Sequence, residues 1–194
     1  MSKLLALDVA VLLPPDARER AIQFSAALRP NGSDRLKLDA DHLPHITLTQ
    51  LFVGIEELSG VLDRVDEALR GESAIPVHVT GGVKAGHSVW MAVERTEALA
   101  RLHERLMEAL REFERPGAGA AAFFEEDARV GDLVWVTGYR LKSSLAAFTT
   151  HVTLGRNKEP PHIEPFTFEA STVAACHLGR FCTCRRILRS WALT

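Results

Sequence analysis

Pro44-His45-Ile46-Thr47-Leu48-Thr49 and, much later, Thr149-Thr150-His151-Val152-Thr153-Leu154 read as two strands of one design. Side chains alternate faces along a strand, so His45, Thr47 and Thr49 are expected on one face, with Ile46 and Leu48 on the other. Thr149, His151 and Thr153 oppose Val152 and Leu154 in the same way. Each strand thus offers an apolar back to a core and a front that carries an imidazole beside a hydroxyl. Eight histidines and twelve threonines in 194 residues would supply only about 0.1 His-apolar-Thr-apolar tetrads by chance. A third triplet, His78-Val79-Thr80, runs into Gly81 and reads as a partly exposed strand residue.

Outward from these motifs, strand and helix periods alternate. Leu4 to Leu13 reads as a strand, Pro14-Pro15-Asp16 as a helix start, and Ala17 to Leu28 as a helix broken by Arg29-Pro30-Asn31-Gly32-Ser33. Pro44 to Val53 is a strand. Glu56 to Arg70 and Glu97 to Phe113 are amphipathic helices, the second through Leu99, Leu102, Leu106, Leu110 and Phe113. Between them, strands at Ile75 to Thr80 and Ser88 to Glu94 flank a turn predicted from Gly81-Gly82 through Gly86. Pro116 to Arg129 is Gly, Ala and acid, a predicted surface loop or insertion. Strands are predicted at Leu133 to Tyr139, Thr149 to Leu154, Phe166 to Ala174 and Arg186 to Leu193.

Strand Leu4–Leu13, helix Ala17–Leu28 and strand Pro44–Val53 match strand Ser88–Glu94, helix Glu97–Phe113 and strand Thr149–Leu154 in type and order. The expectation is an internal duplication, each copy ending in the histidine motif.

Composition sets outer bounds. With 46% hydrophobic and 25% charged residues the chain can bury a full core, and no stretch approaches the ~20 apolar residues of a membrane span. Asp8 and Pro14-Pro15 interrupt the apolar N-terminal run, which favours a buried first strand over a signal peptide. Three cysteines, an odd and thinly spread number, favour a reducing, cytoplasmic setting. Formal charge is −2, with eight Lys/Arg against three acids from Tyr139 onward and fifteen against twenty-two before it. That balance argues against a long nucleic-acid-coating surface and leaves room for a local anion site in the C-terminal third.

Two imidazoles facing one groove have a chemical use. With ordinary pKa values near 6.5, one accepts a proton from an attacking hydroxyl while the other donates to a leaving oxygen. A phosphodiester, whose alkoxide leaves poorly, needs that pairing, and threonine hydroxyls can bond its non-bridging oxygens as charge builds.

On these motifs, with Phe52-Val53-Gly54 after the first and Gly155-Arg156 after the second, the chain resembles the two-histidine (2H) phosphoesterase superfamily, including 2′-5′ RNA ligase-like proteins and cyclic phosphodiesterases. The resemblance spans nearly the whole chain. It implies an α+β, bilobal, duplicated fold across 1–194, with two mainly antiparallel sheets flanked by helices and a central groove. It further implies catalytic His45 and His151, with His151 the base and His45 the acid, phosphate-binding Thr47 and Thr153, and no metal or cofactor. The implied substrate is a nucleotide or RNA end with a cyclic phosphate, acted on by a monomer; 2′,5′ ligation or cleavage, or nucleotide-end binding without turnover, are the alternatives. Arg156 is a candidate phosphate contact. Phe181 and Tyr139 are candidates for stacking on a base, with Phe52 and Trp90 behind them. A metal reading of Cys176, His177, Cys182 and Cys184, or of His42 beside His45, fits no common zinc spacing, and Cys182 and Cys184 suit alternate strand positions as small hydrophobes.

Overall fold

The computed structural model describes residues 3–29 and 35–194, so the helix break expected at 29–33 lies, apart from Arg29, outside the described residues. The elements run β1 (Leu4–Leu12), α1 (Pro15–Ala27), β2 (His45–Gly54), α2 (Leu58–Leu69), β3 (Ile75–Ala85), β4 (Ser88–Val93), α3 (Glu97–Ala109), α4 (Val130–Lys142), β5 (His151–Arg156), β6 (Phe166–Ala170), β7 (Thr172–Gly179) and β8 (Thr183–Ala192). They form two four-stranded sheets, ordered β2-β1-β7-β8 and β5-β4-β3-β6, with antiparallel pairing throughout. The expected α+β fold with two antiparallel sheets is the one adopted. The orders correspond position by position, and in each sheet a strand-helix-strand unit places the histidine strand, β2 or β5, at an edge.

The two histidine strands also share a defect. Pairing of β1 with β2 passes from Val9↔Thr49 to Ala10↔Thr47, skipping Leu48; pairing of β4 with β5 passes from Val89↔Gly155 to Trp90↔Thr153, skipping Leu154. A residue left over in this way is a β-bulge, which re-aims the side chains beyond it. Thr49 is therefore not on the face of His45 and Thr47. It is buried, its hydroxyl donating to Met107 Sδ of α3 at 3.0 Å, and Gln50 takes its place toward the groove. In β5 the same reset turns Gly155 inward, at φ +144° and with Leu28 only 2.9 Å from where a Cβ would lie, and puts Arg156 on the groove face.

Each bulge carbonyl is bonded by a helix from the other copy. Leu48 O accepts from His103 Nδ1 of α3 at 2.5 Å, with Tyr139 Oη at 3.5 Å. Leu154 O accepts from Ser25 Oγ of α1 at 2.7 Å. One apolar cluster runs through both sheets, α1, α2 and α3, including Val9, Ile46 and Leu48 on one side and Val89, Val152 and Leu154 on the other.

Several expectations are corrected. Leu133 to Tyr139 is not a strand but the middle of α4. Its β-branched run gives way to a helix start at which Asp132 Oδ2 accepts from the Arg129 backbone N–H at 2.9 Å, and to a helical face of Asp132, Val136 and Tyr139 that is buried. The 116–129 stretch is not merely surface: Ala122 and Phe123 are buried against Ala6, Phe52, Val136 and Leu178, with Phe52 and Phe123 edge to face at 5.8 Å. That packing removes Phe52 (3% exposed) from the stacking candidates. The turn before β4 is at Gly86-His87, because β3 continues through Gly81-Gly82; a Cβ on Gly82 would meet the Pro161 carbonyl oxygen at 2.0 Å. The single strand expected over Phe166 to Ala174 breaks at Ser171, where the chain crosses from one sheet to the other. Cys182 lies in a 3-10 turn with φ 53°, not in a strand.

Ser25 also accepts from Leu38 N at 3.2 Å, so Ser25→Ala strands a buried carbonyl and a buried N–H. It should cost about 1–3 kcal/mol in a urea titration, and a loss under about 0.5 kcal/mol would show that the bulge does not need this hydroxyl.

Candidate functional site

A cavity of about 530 Å³ lies where the groove faces of β2 and β5 meet, walled by α4 and by the turn between β7 and β8. His45, Thr47, His151, Thr153, Arg156 and Phe181 all line it. Tyr139 and Trp90 border it as well, but Tyr139 is 3% exposed with its hydroxyl turned to Leu48 O, which removes it from the stacking candidates as it does Phe52, and the Trp90 ring is already stacked on His151. His78 does not; it is exposed on β3, opposite Thr167 of β6.

Local geometry orients both imidazoles alike. His45 Nδ1 donates to Leu43 O at 2.8 Å and His151 Nδ1 to Thr149 O at 3.2 Å, each carbonyl two residues back along the chain. This fixes the proton on Nδ1 and leaves Nε2 for other work.

Their surroundings then diverge. On the strand behind His45, Asp8 is fully buried, its Oδ2 3.5 Å from His45 Nε2. The register places Ser88 of β4 at the corresponding position of the second sheet, since Asp8 pairs with Gln50 and Ser88 with Arg156. One step on, Ala10 of β1 corresponds to Trp90 of β4, whose ring stacks on His151 at 3.8 Å and 18°. Burial lowers the pKa of His45, but the Asp8 carboxylate and the Leu43 carbonyl outweigh it, so the group stands above its ordinary 6.5. Burial pushes His151 down to about 4, against the pull of the Thr149 carbonyl and with the charge of His45 adding to the fall. Near neutrality His45 therefore holds its second proton far more readily than His151.

Asp8 Oδ2 also accepts from Thr47 Oγ1 at 2.9 Å and Gln50 Nε2 at 2.6 Å. The Thr47 proton is thus committed to Asp8, whereas Thr153 Oγ1 has no hydrogen-bond partner among the described residues. Arg156 and Lys142 reach the cavity, and neither has an ion pair among the described residues. The other C-terminal cations do not gather there: Arg140 pairs with Glu114, Arg180 with Asp127 and Arg189 with Asp63. Phe181 sits at φ 63° with its N–H bonded to Asp132 Oδ2 at 3.1 Å and the Arg129 guanidinium over its ring at 3.8 Å.

Sequence reasoning missed Asp8, Gln50 and Trp135 as parts of this site. A charge inside an otherwise apolar first strand was a usable signal for Asp8, because a carboxylate is not buried without partners. No local signal marks Gln50, which depends on the bulge. Trp135 was hidden by reading α4 as a strand.

The cysteine-rich set weighed as a metal reading is not assembled. His177 Nε2 bonds to Ala122 O at 2.9 Å, and His42 pairs with Asp39. A different trio, Asp8, His45 and Cys184, does converge, with ligand atoms within 4.8 Å of one another.

The sequence profile of the 2′-5′ RNA ligase superfamily matches residues 13–180. The chain belongs to that superfamily. Its fold is shared with solved structures of low identity. TT0787 of Thermus thermophilus is 22% identical over 97% of this chain and 98% of its own, with a TM-score of 0.63. Escherichia coli LigT in apo form is 19% identical over 100% and 99%, with a TM-score of 0.64; LigT complexed with 3′-AMP gives 19%, 99%, 99% and 0.64. No curated protein sequence matches. Among the described residues no helix is long and apolar enough to cross a membrane.

The two environments can be tested separately by histidine NMR titration. Asp8→Asn should lower the pKa of His45, and Trp90→Ala, by opening His151 to water, should raise that of His151. Movement of either in the opposite sense would show that the cause has been misassigned.

Proposed function

We propose that this chain hydrolyses a cyclic phosphodiester, the 2′,3′-cyclic phosphate of a nucleotide or RNA end, by paired imidazole catalysis. The observation that carries the reading is two imidazoles in one cavity, each held at Nδ1 by the carbonyl two residues back, with the Asp8 carboxylate behind His45 and the Trp90 ring over His151. In this reading His151 Nε2 takes a proton from water as its oxygen bonds to phosphorus. His45 Nε2–H gives a proton to the ribose oxygen as the other P–O bond breaks. The ring opens to a phosphomonoester, and the two histidines exchange protons with solvent to reset. Both proton transfers come from the chain, so the step calls for no metal.

The phosphate has its partners at hand. Thr153 Oγ1, without a hydrogen-bond partner among the described residues, can donate to a non-bridging oxygen, and Arg156 and Lys142, without an ion pair among the described residues, supply positive charge at the cavity wall. Thr47 can join only by turning its hydroxyl from Asp8, which is an uneven role for two residues that look equivalent in the sequence. Phe181, backed by Arg129, and Trp135 offer ring surfaces to a nucleobase. The LigT structures with 3′-AMP, NADP+ and ATP show that a protein of this fold was solved with nucleotides bound.

Hydrolysis of 2′,3′-cyclic nucleotides in EDTA is the test. His45→Ala and His151→Ala should each lower kcat by about 10²-fold or more with folding intact. Binding without turnover across a panel of cyclic and 2′,5′-linked substrates would sink the hydrolase reading.

The pH profile follows from the two shifts. Activity needs neutral His151 and protonated His45, so it should fall below about pH 4 and again above a limb lying on the alkaline side of 6.5. Asp8→Asn should draw the alkaline limb downward and leave the acid limb in place; an alkaline limb that stays put would remove Asp8 from the account.

A further inference from the structure

Behind the groove face, ligand atoms from three strands meet: a carboxylate oxygen of Asp8 on β1, an imidazole nitrogen of His45 on β2 and Cys184 Sγ on β8, all within 4.8 Å of one another. The 3.5 Å between Asp8 Oδ2 and His45 Nε2 exceeds the ~2.7–2.9 Å of a charge-assisted hydrogen bond. That one edge is close to the ~3.3–3.5 Å edge of a tetrahedron whose bonds are ~2.0–2.1 Å, while the trio as a whole, spread within 4.8 Å, has to close in to bind. Two buried acceptors at the same place, Asp8 Oδ1 and Gln50 Oε1, have no hydrogen-bond partner among the described residues. Asp8 is fully buried and Gln50 3% exposed.

The donor set selects among cations. A thiolate with an imidazole and one carboxylate is poor for magnesium or calcium, which take oxygen cages, and suits zinc, which accepts nitrogen, sulfur and oxygen in a four-coordinate shell. Three protein ligands leave the fourth position for solvent on the cavity side, where His45 is part-exposed. Charge also closes: a divalent ion with one carboxylate and one thiolate is neutral, which is what burial demands. Burial keeps the Cys184 thiol protonated in the free protein, so binding releases that proton to solvent.

We propose that Asp8, His45 and Cys184 form a zinc site whose occupation inhibits the enzyme by coordinating the nitrogen that would otherwise donate a proton. Zinc here is an effector, not a cofactor, and the metal-free form is the active one. Only the inhibitory half of this inference rests on the hydrolase reading.

Cobalt(II) added to the metal-free chain separates the two. One equivalent should bind with a thiolate-to-cobalt charge-transfer band in the near ultraviolet, lost on adding zinc. Cys184→Ala should abolish the band and weaken zinc binding tenfold or more, whereas Cys176→Ala should retain it. In activity assays zinc should inhibit the wild type reversibly by EDTA, with the inhibition constant of Cys184→Ala at least tenfold higher when each protein is referred to its own metal-free rate. No charge-transfer band in the wild type, or one that survives Cys184→Ala in a folded protein, overturns the site. A band in a protein that turns over no cyclic phosphate would leave the site standing and sink the hydrolase reading instead.

Discussion

Each histidine strand must surrender one position of its ladder, and the rest of the architecture is arranged around that surrender. The bulges at Leu48 and Leu154 keep Ile46 and Val152 in the core while bringing Gln50 and Arg156 onto the groove faces. A bulge leaves polar backbone unpaired in an apolar setting, which is costly unless another group supplies a partner. His103 and Ser25 are those partners, and each belongs to the helix of the opposite copy. The two halves are therefore not merely adjacent: neither motif strand has its backbone fully satisfied without the other half.

His103 shows how closely this is built. Its Nδ1 bonds to Leu48 O, its Nε2 accepts from Leu145 N at 2.8 Å, and its ring stacks on Phe148 at 3.9 Å. Burial lowers its pKa, so the ring stays neutral and can accept at one nitrogen while donating at the other. It ties α3, β2 and the approach to β5 into one unit behind the cavity.

Much of this was legible in the sequence. The repeated strand-helix-strand order, the two motifs, and the groove-facing His45, Thr47, His151 and Thr153 all follow from alternation and spacing, whereas Arg156 reaches the groove only through the bulge. What failed did so for physical reasons. Alternation assumes an unbroken pleat, so Thr49 was placed on the wrong face and Gln50 overlooked, because the bulge is fixed by cross-strand register rather than by local residues. Leu133 to Tyr139 has strand-forming residues, but the Asp132 carboxylate bonded to the Arg129 N–H at the helix start and burial of one helical face outweigh that preference. Phe123 stood in a stretch whose Gly and Ala composition suggested exposure, and long-range packing against Phe52 decided otherwise.

The contrast between Asp8 with Ala10 and Ser88 with Trp90 lies on the back strands, one layer removed from the histidines. With like residues at these places the two imidazoles would have equal basicity. The difference in basicity is thus a property of the support and not of the motif. Two enzymes with identical histidine motifs could run their protons in opposite senses, and a comparison confined to the motifs would not distinguish them.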